Sequence, residues 1–246
     1  MNAIKIFPDL PSWTREAAVT FHHIARESLE KRGIFSAALS GGGTPKPVYR
    51  EIGTSGNQVP LRWSNIHLFW GDERHVPPGH ADSNYKMVKA QLLDHISIPS
   101  GNVHRVPAEM EARMAAFSYE EVLRGFFDGE QPRFDLVFLG MGDDGHTASL
   151  FPHSAGLNEE DRWFIANFSP TKEEWRLTLT KNAINKARNI VVMVRGHSKA
   201  KMVADVLTGP INPEEKPIQL ISPVDGNMIW ILDREAASLL PDGIRF

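Results

Sequence analysis

The sequence predicts an α/β protein: a mostly parallel sheet flanked by helices. Two observations predict it. Short apolar runs of strand length recur along the chain, and segments with helical spacing of apolar residues lie between them. Strands separated by helices need crossover connections, and crossovers join parallel neighbours.

The first element is a helix over residues 12–32, with Trp13, Ala17, Phe21, Ile24 and Leu29 on one face. Ser12 is the expected N-cap and Gly33 the expected stop. Ile34 to Leu39 is a continuous apolar run, the pattern of a strand buried on both faces. Ile66–Trp70, Leu136–Leu139, Ile190–Val194 and Met228–Leu232 repeat that pattern. Further helices are expected at 83–96, 109–127, 197–207 and 233–240, and His22 and His23 are expected on the surface of the first one. Trp175 to Thr180 alternates apolar and polar residues. It reads either as a strand that aims Arg176 into a cleft or as a solvated edge strand. No repeat or linker divides the chain, so residues 1–246 read as a single domain with room for a small subdomain.

Composition removes several chemistries. The 246 residues are 41% hydrophobic and 23% charged, with a net charge of −3. That balance gives no general attraction to nucleic acid or anionic membranes. Any bound anion must be held by local donors. There is no cysteine, which excludes disulfides, thiolate-bound metals and a thiol nucleophile. No apolar stretch is long enough for a signal peptide or a membrane helix, so the cytoplasm is the expected location.

In open α/β sheets, ligands bind at the carboxyl ends of the strands. Four loops follow strands and are unusual. Ser40 to Pro45 holds three glycines, then Thr44 as a helix cap and Pro45 at the first helical position. Such a turn is a phosphate cradle or simply a tight turn of small residues. Gly71 to Pro77 crowds Asp72, Glu73 and Arg74 together. The acids could hold Arg74 as a fork for an anion, or the three could form a solvated ion-pair cluster. Ser83 marks a helix start beyond it.

Gly140 to Pro152 packs three glycines, Asp143, Asp144 and His146 into one turn, with Thr147 placed to cap a short helix. His146 suits a general base near neutral pH, and Asp144 is close enough to orient it. The same trio could instead hold a divalent ion, although the spacing matches neither HExxH nor an EF-hand. The fourth loop, Gly196 to Lys201, sets Lys199 at a helix start, where a cation is disfavoured unless an anion is bound.

Taken together, SGGGTPKPVY, GDERHVP with SNYKM, GMGDDGHTASLFP and GHSKA resemble the 6-phosphogluconolactonase family, in that order, and IQLISPVDGNMIWILDREAA resembles its ending. The similarity spans nearly the whole chain, and DGHTASLFP is its most specific part. The family lies in a wider group with glucosamine-6-phosphate deaminases, which share a Rossmann-like α/β fold. The resemblance implies hydrolysis of 6-phospho-D-glucono-1,5-lactone to 6-phosphogluconate, with no metal and no organic cofactor. It places the catalytic histidine at His146 and its acid at Asp144. It assigns substrate contacts to Gly42, Gly43, Thr44, Arg74, Arg176 and Lys199. Gly43 stands where the family often has serine, and position 143 varies. The implied partner is a small sugar-phosphate lactone, with no nucleic acid and no membrane; a monomer is compatible with the sequence. Two other readings stay open. One is an amino-sugar phosphate deaminase or isomerase with Asp72 as enolising base, and the other is a non-catalytic sugar-phosphate sensor.

Overall fold

A computed structural model describes residues 2–55 and 61–243 of the chain. In chain order its elements begin β1 (Asn2–Phe7), α1 (Leu10–Arg32), β2 (Phe35–Leu39) and α2 (Lys46–Ser55). They continue with β3 (Ile66–Trp70), β4 (Asp72–Arg74), α3 (Asn84–Gln91), β5 (Val103–His104) and α4 (Ala112–Phe126). The rest are β6 (Leu136–Leu139), β7 (Phe164–Ser169), β8 (Glu174–Leu179), α5 (Lys181–Asn185), β9 (Asn189–Val194), α6 (Ala200–Leu207) and β10 (Asn227–Asp233).

Seven strands form one sheet in the order β1-β10-β9-β6-β2-β3-β5, and every neighbouring pair is parallel. The expected α/β class and parallel sheet are what the structure contains. β2 and β6 are buried along their whole length, as the continuous apolar runs require. Helix α1 covers part of the sheet, and Trp13 from it fills the core and donates its indole N–H to the Ile231 carbonyl at 3.0 Å. The chain passes from β2 outward to β3 and β5, then returns to place β6 on the other side of β2. That reversal of direction opens a crevice between the loops after β2 and β6.

The other three strands form a small antiparallel sheet, β4-β8-β7. A single residue, Gly71, separates β3 in the large sheet from β4 in the small one. Its N–H donates to the Leu39 carbonyl of β2 at 2.8 Å, and its carbonyl accepts from Leu179 of β8 at 2.8 Å. Helix α4 packs on the small sheet and anchors it to the large one. The Tyr119 hydroxyl accepts from Trp70 N–H at 2.8 Å and donates to the His104 carbonyl at 3.0 Å. Losing that hydroxyl would leave the Trp70 N–H buried and unpaired, a cost of about 1–3 kcal/mol.

Several expectations are corrected. The cap of α1 is Asp9, not Ser12. Its carboxylate accepts from Ser12 N–H at 2.8 Å, and Pro11 occupies the first turn, so the helix starts at Leu10. Gly33 does end it, at φ 74°. The segment 83–96 is shorter than expected: α3 stops at Gln91 and a 3₁₀ turn follows. Residues 234–240 form turns instead of a helix. Asp233, at the end of β10, spends its carboxylate on the N–H groups of Gly196 and Ala236, which folds the chain back at once. His22 is buried, not on the surface. The strand at 174–179 is the centre of its sheet, not an edge, and Thr178 and Thr180 are fully buried. Strands β1, β4, β5 and β7 carried no clear signal, because they are short, terminal or lack a long apolar run. Among the described residues no helix is long and apolar enough to cross a membrane.

One half-buried histidine pair makes the fold sensitive to acid. His67 Nδ1 and His104 Nε2 are 3.0 Å apart, and His104 stacks on Phe69 with ring centroids 4.3 Å apart. Burial, with a smaller contribution from His67, pushes His104 down to about 4. The unfolded chain therefore takes up a proton below pH 6.5 that the folded chain refuses until about pH 4. Stability should fall as pH drops through that window. His104→Phe, which keeps the stack, should flatten the dependence, as read from denaturation midpoints at pH 7, 5.5 and 4.5.

Candidate active site

The loops after β2, β3, β6 and β9 meet in a cleft of about 240 Å³ at the carboxyl ends of the strands. Gly41 to Thr44 line one wall, Gly140 to Gly142 and His146 another, and Arg74 and Lys199 lie at its sides.

The first wall is pinned from below. Buried Tyr49 on α2 donates its hydroxyl to the Ser40 carbonyl at 2.8 Å and accepts from Ser40 N–H at 2.9 Å. Gly42 adopts φ 86°, which favours glycine. Gly41 touches α3 so closely that a Cβ there would fall 1.9 Å from Asn84 Oδ1. Helix α2 opens later than expected. The Pro45 carbonyl accepts its first bond, from Tyr49 N–H at 3.0 Å, so Pro45 is the cap and Thr44 lies one residue outside. Thr44 nevertheless lines the cleft.

The second wall is a turn closed by its own side chains. Asp144 Oδ1 sits 2.5 Å from His146 Nδ1 and also accepts from His146 N–H at 3.2 Å. Burial alone would raise the Asp144 pKa, but the hydrogen bonds and charge of His146 outweigh it and hold the carboxyl down at about 2. An ionised carboxylate only accepts, so Nδ1 carries the proton and Nε2 is left as the basic nitrogen. Among the described residues Nε2 has no hydrogen-bond partner, and the ring lines the cleft, packed against Phe151 at 4.7 Å. Thr147 caps no helix, because none follows. Its hydroxyl donates to the Gly140 carbonyl at 2.8 Å and ties the turn to the end of β6. Gly145, at φ 78°, accepts from Ile218 N–H at 3.0 Å, so the segment after α6 supports the turn from outside.

The acids of the cleft divide their work. Asp143 pairs with Lys199 at 2.8 Å. Among the described residues no three His, Asp or Glu side chains are grouped as a metal site. Asp72 and Glu73 do not hold the Arg74 guanidinium, contrary to expectation. Asp72 lines the cleft and accepts the Ser149 hydroxyl at 2.7 Å. Buried Glu73 accepts from the backbone N–H groups of Arg74, Asn84 and Tyr85, so it secures the start of α3, where Ser83 is the cap as expected. Burial pushes its carboxyl up, against those same bonds. Arg74 itself donates to the Asp82 carbonyl at 3.1 Å.

Arg176 is not brought to the cleft. It lies opposite Arg74 across the β4–β8 pair, but it is buried and its guanidinium is held by Glu174 at 2.5 Å. Sequence reading missed Lys172 and Met193, which both line the cleft. Met193 was read only as core strand, and Lys172 stands in a short hairpin without a spacing signal.

The fold agrees with comparisons to known proteins. Residues 8–230 match the model of the glucosamine-6-phosphate isomerase/6-phosphogluconolactonase family. A 6-phosphogluconolactonase of Synechocystis is 40% identical over 87% of this chain and 88% of its own, and one of Haemophilus influenzae is 38% identical over 82% and 86%. The crystal structure of 6-phosphogluconolactonase from Thermotoga maritima superposes with a TM-score of 0.82, at 28% identity, covering 95% of this chain and all of that one. The chain belongs to the glucosamine-6-phosphate isomerase/6-phosphogluconolactonase family.

Gly142 is a direct test of the His146 geometry. A Cβ there would lie 2.1 Å from His146 Nδ1 and 2.5 Å from Asp144 Oδ1. Gly142→Ala should leave the circular dichroism spectrum unchanged while turnover falls about 10²-fold, the scale of a 1 Å misplacement.

Proposed function

We propose that this chain hydrolyses 6-phospho-D-glucono-1,5-lactone to 6-phosphogluconate, with His146 as general base. The observation that carries the reading is the Asp144–His146 pair, whose free Nε2 faces a cleft lined by glycine-rich backbone and cations. In this reading the chain acts as one domain, in the cytoplasm, without metal or organic cofactor. The names of its relatives support the lactone substrate, and the oxidative pentose phosphate route is where such a lactone arises.

His146 Nε2 takes a proton from water as the water oxygen bonds to the lactone carbonyl carbon. The carbonyl oxygen becomes an oxyanion, and nearby backbone N–H groups or Arg74 stabilise it. The intermediate then expels the ring oxygen, which receives the proton from His146. Asp144, ionised throughout the neutral range, keeps the ring in one tautomer and stabilises the imidazolium in between. Lys199 and the backbone of Gly42 to Thr44 are assigned to the phosphate, the one ionised group of the lactone. Arg176 is assigned a supporting position behind Arg74 instead of a substrate contact.

One observation favours a second reading. Asp72 places a second carboxylate in the same cleft, where an isomerase would need an enolising base. Ammonia release from glucosamine 6-phosphate, with no lactone hydrolysis, would select it.

The decisive assay uses freshly generated lactone and subtracts spontaneous opening. His146→Ala should lose roughly 10²–10⁴-fold in turnover without loss of fold. Asp144→Asn, which lets the ring adopt the wrong tautomer, should lose a comparable factor. A folded His146→Ala protein with full activity would refute the base assignment.

A further inference from the structure

Three cationic side chains line the cleft, Arg74, Lys172 and Lys199, and Arg176 lies opposite Arg74 outside it; all but Lys172 are already engaged. Lys199 is paired with Asp143, Arg176 with Glu174, and Arg74 donates to the Asp82 carbonyl. The fourth, Lys172, lines the same cleft and makes no hydrogen bond or ion pair among the described residues. It sits in the hairpin between β7 and β8, so it is carried by the small sheet and not by the loops of the large one. Its side chain is exposed, and its ammonium rests 5.3 Å from the centre of the Phe151 ring. Phe151 is also the ring against which His146 packs. Lys172 and His146 therefore approach one aromatic side chain, and both border the space a ligand would fill.

We infer that Lys172 is a specificity-determining residue that binds the phosphate of the substrate. The inference rests on the sugar-phosphate reading above and adds to Lys199 and the Gly42–Thr44 backbone a further contact to the phosphate, from the small sheet. A compact ammonium on a flexible stem is a good point-charge partner for a phosphate dianion. The resting contact with Phe151 is weak at an exposed site, so leaving it costs little. No partner carboxylate has to be displaced, whereas Lys199 must share its charge with Asp143. The glycine loop across the cleft supplies N–H donors and no charge of its own.

The test measures binding and turnover separately. Calorimetric titration with 6-phosphogluconate and with gluconate is made on the wild type, Lys172→Met and Lys172→Arg. Lys172→Met should weaken 6-phosphogluconate binding at least tenfold, Lys172→Arg should recover most of it, and gluconate binding should not change. In the lactone assay Lys172→Met should raise KM by a similar factor and leave kcat within about threefold, since the proton transfer at His146 is untouched. Equal losses for phosphorylated and unphosphorylated ligands, or unchanged 6-phosphogluconate binding, would overturn the inference. Wild-type protein that binds 6-phosphogluconate through Lys172 yet hydrolyses no lactone would uphold it while refuting the reaction proposed above.

Discussion

The structure depends on the parallel alignment of β2, β6 and β9, which lie side by side although other strands come between them in the chain. Parallel strands point all their carboxyl ends one way. Three loops far apart in the chain, at 40–45, 140–152 and 195–199, are thereby brought to one rim. The register Ala37↔Leu136 and Val137↔Ile190 sets where each loop starts. Because these strands are buried on both faces, a slip in register would expose apolar residues and move the site together. The core and the cleft are held by the same pairing.

Within that frame, the small sheet provides a second wall. Gly71 lets the chain leave β3 and enter β4 without a loop, so the charged run 72–74 lands at the mouth of the cleft. Charge there serves two ends. Glu73 and Asp72 satisfy backbone and hydroxyl donors of neighbouring segments, which keeps buried polar groups paired. Arg74 and Lys199 keep their positive charge toward the cleft. The site thus combines a neutral, backbone-rich wall with cations held at its edges, an arrangement suited to anions in a protein whose net charge is negative.

The His146 turn shows how little space such an arrangement leaves. Gly142 cannot carry a Cβ without striking His146 and Asp144, and Gly145 meets Lys216 and Met202. Ala148, two residues beyond His146, holds a left-handed φ of 47°, a strained conformation that places backbone strain beside the histidine. The glycines in this loop answer to close contact and positive φ, not to flexibility.

The sequence by itself determined the class of fold, the five long apolar strands and the loop that carries His146 and Asp144. These are local properties: buried parallel strands must be apolar throughout, and the histidine and its acid are two residues apart. The tertiary structure decided everything that depends on partners distant in sequence. It turned Asp72 and Glu73 to anchoring neighbours, gave Asp143 to Lys199, and placed Arg176 behind the cleft with Glu174. It moved the cap of α1 to Asp9 and replaced the expected last helix with turns, because Asp233 is claimed by Gly196. It also brought Lys172 into the cleft from a hairpin that no periodicity marks. A residue's type and spacing limit what it can do, but which charge it meets is set only when the strands are paired.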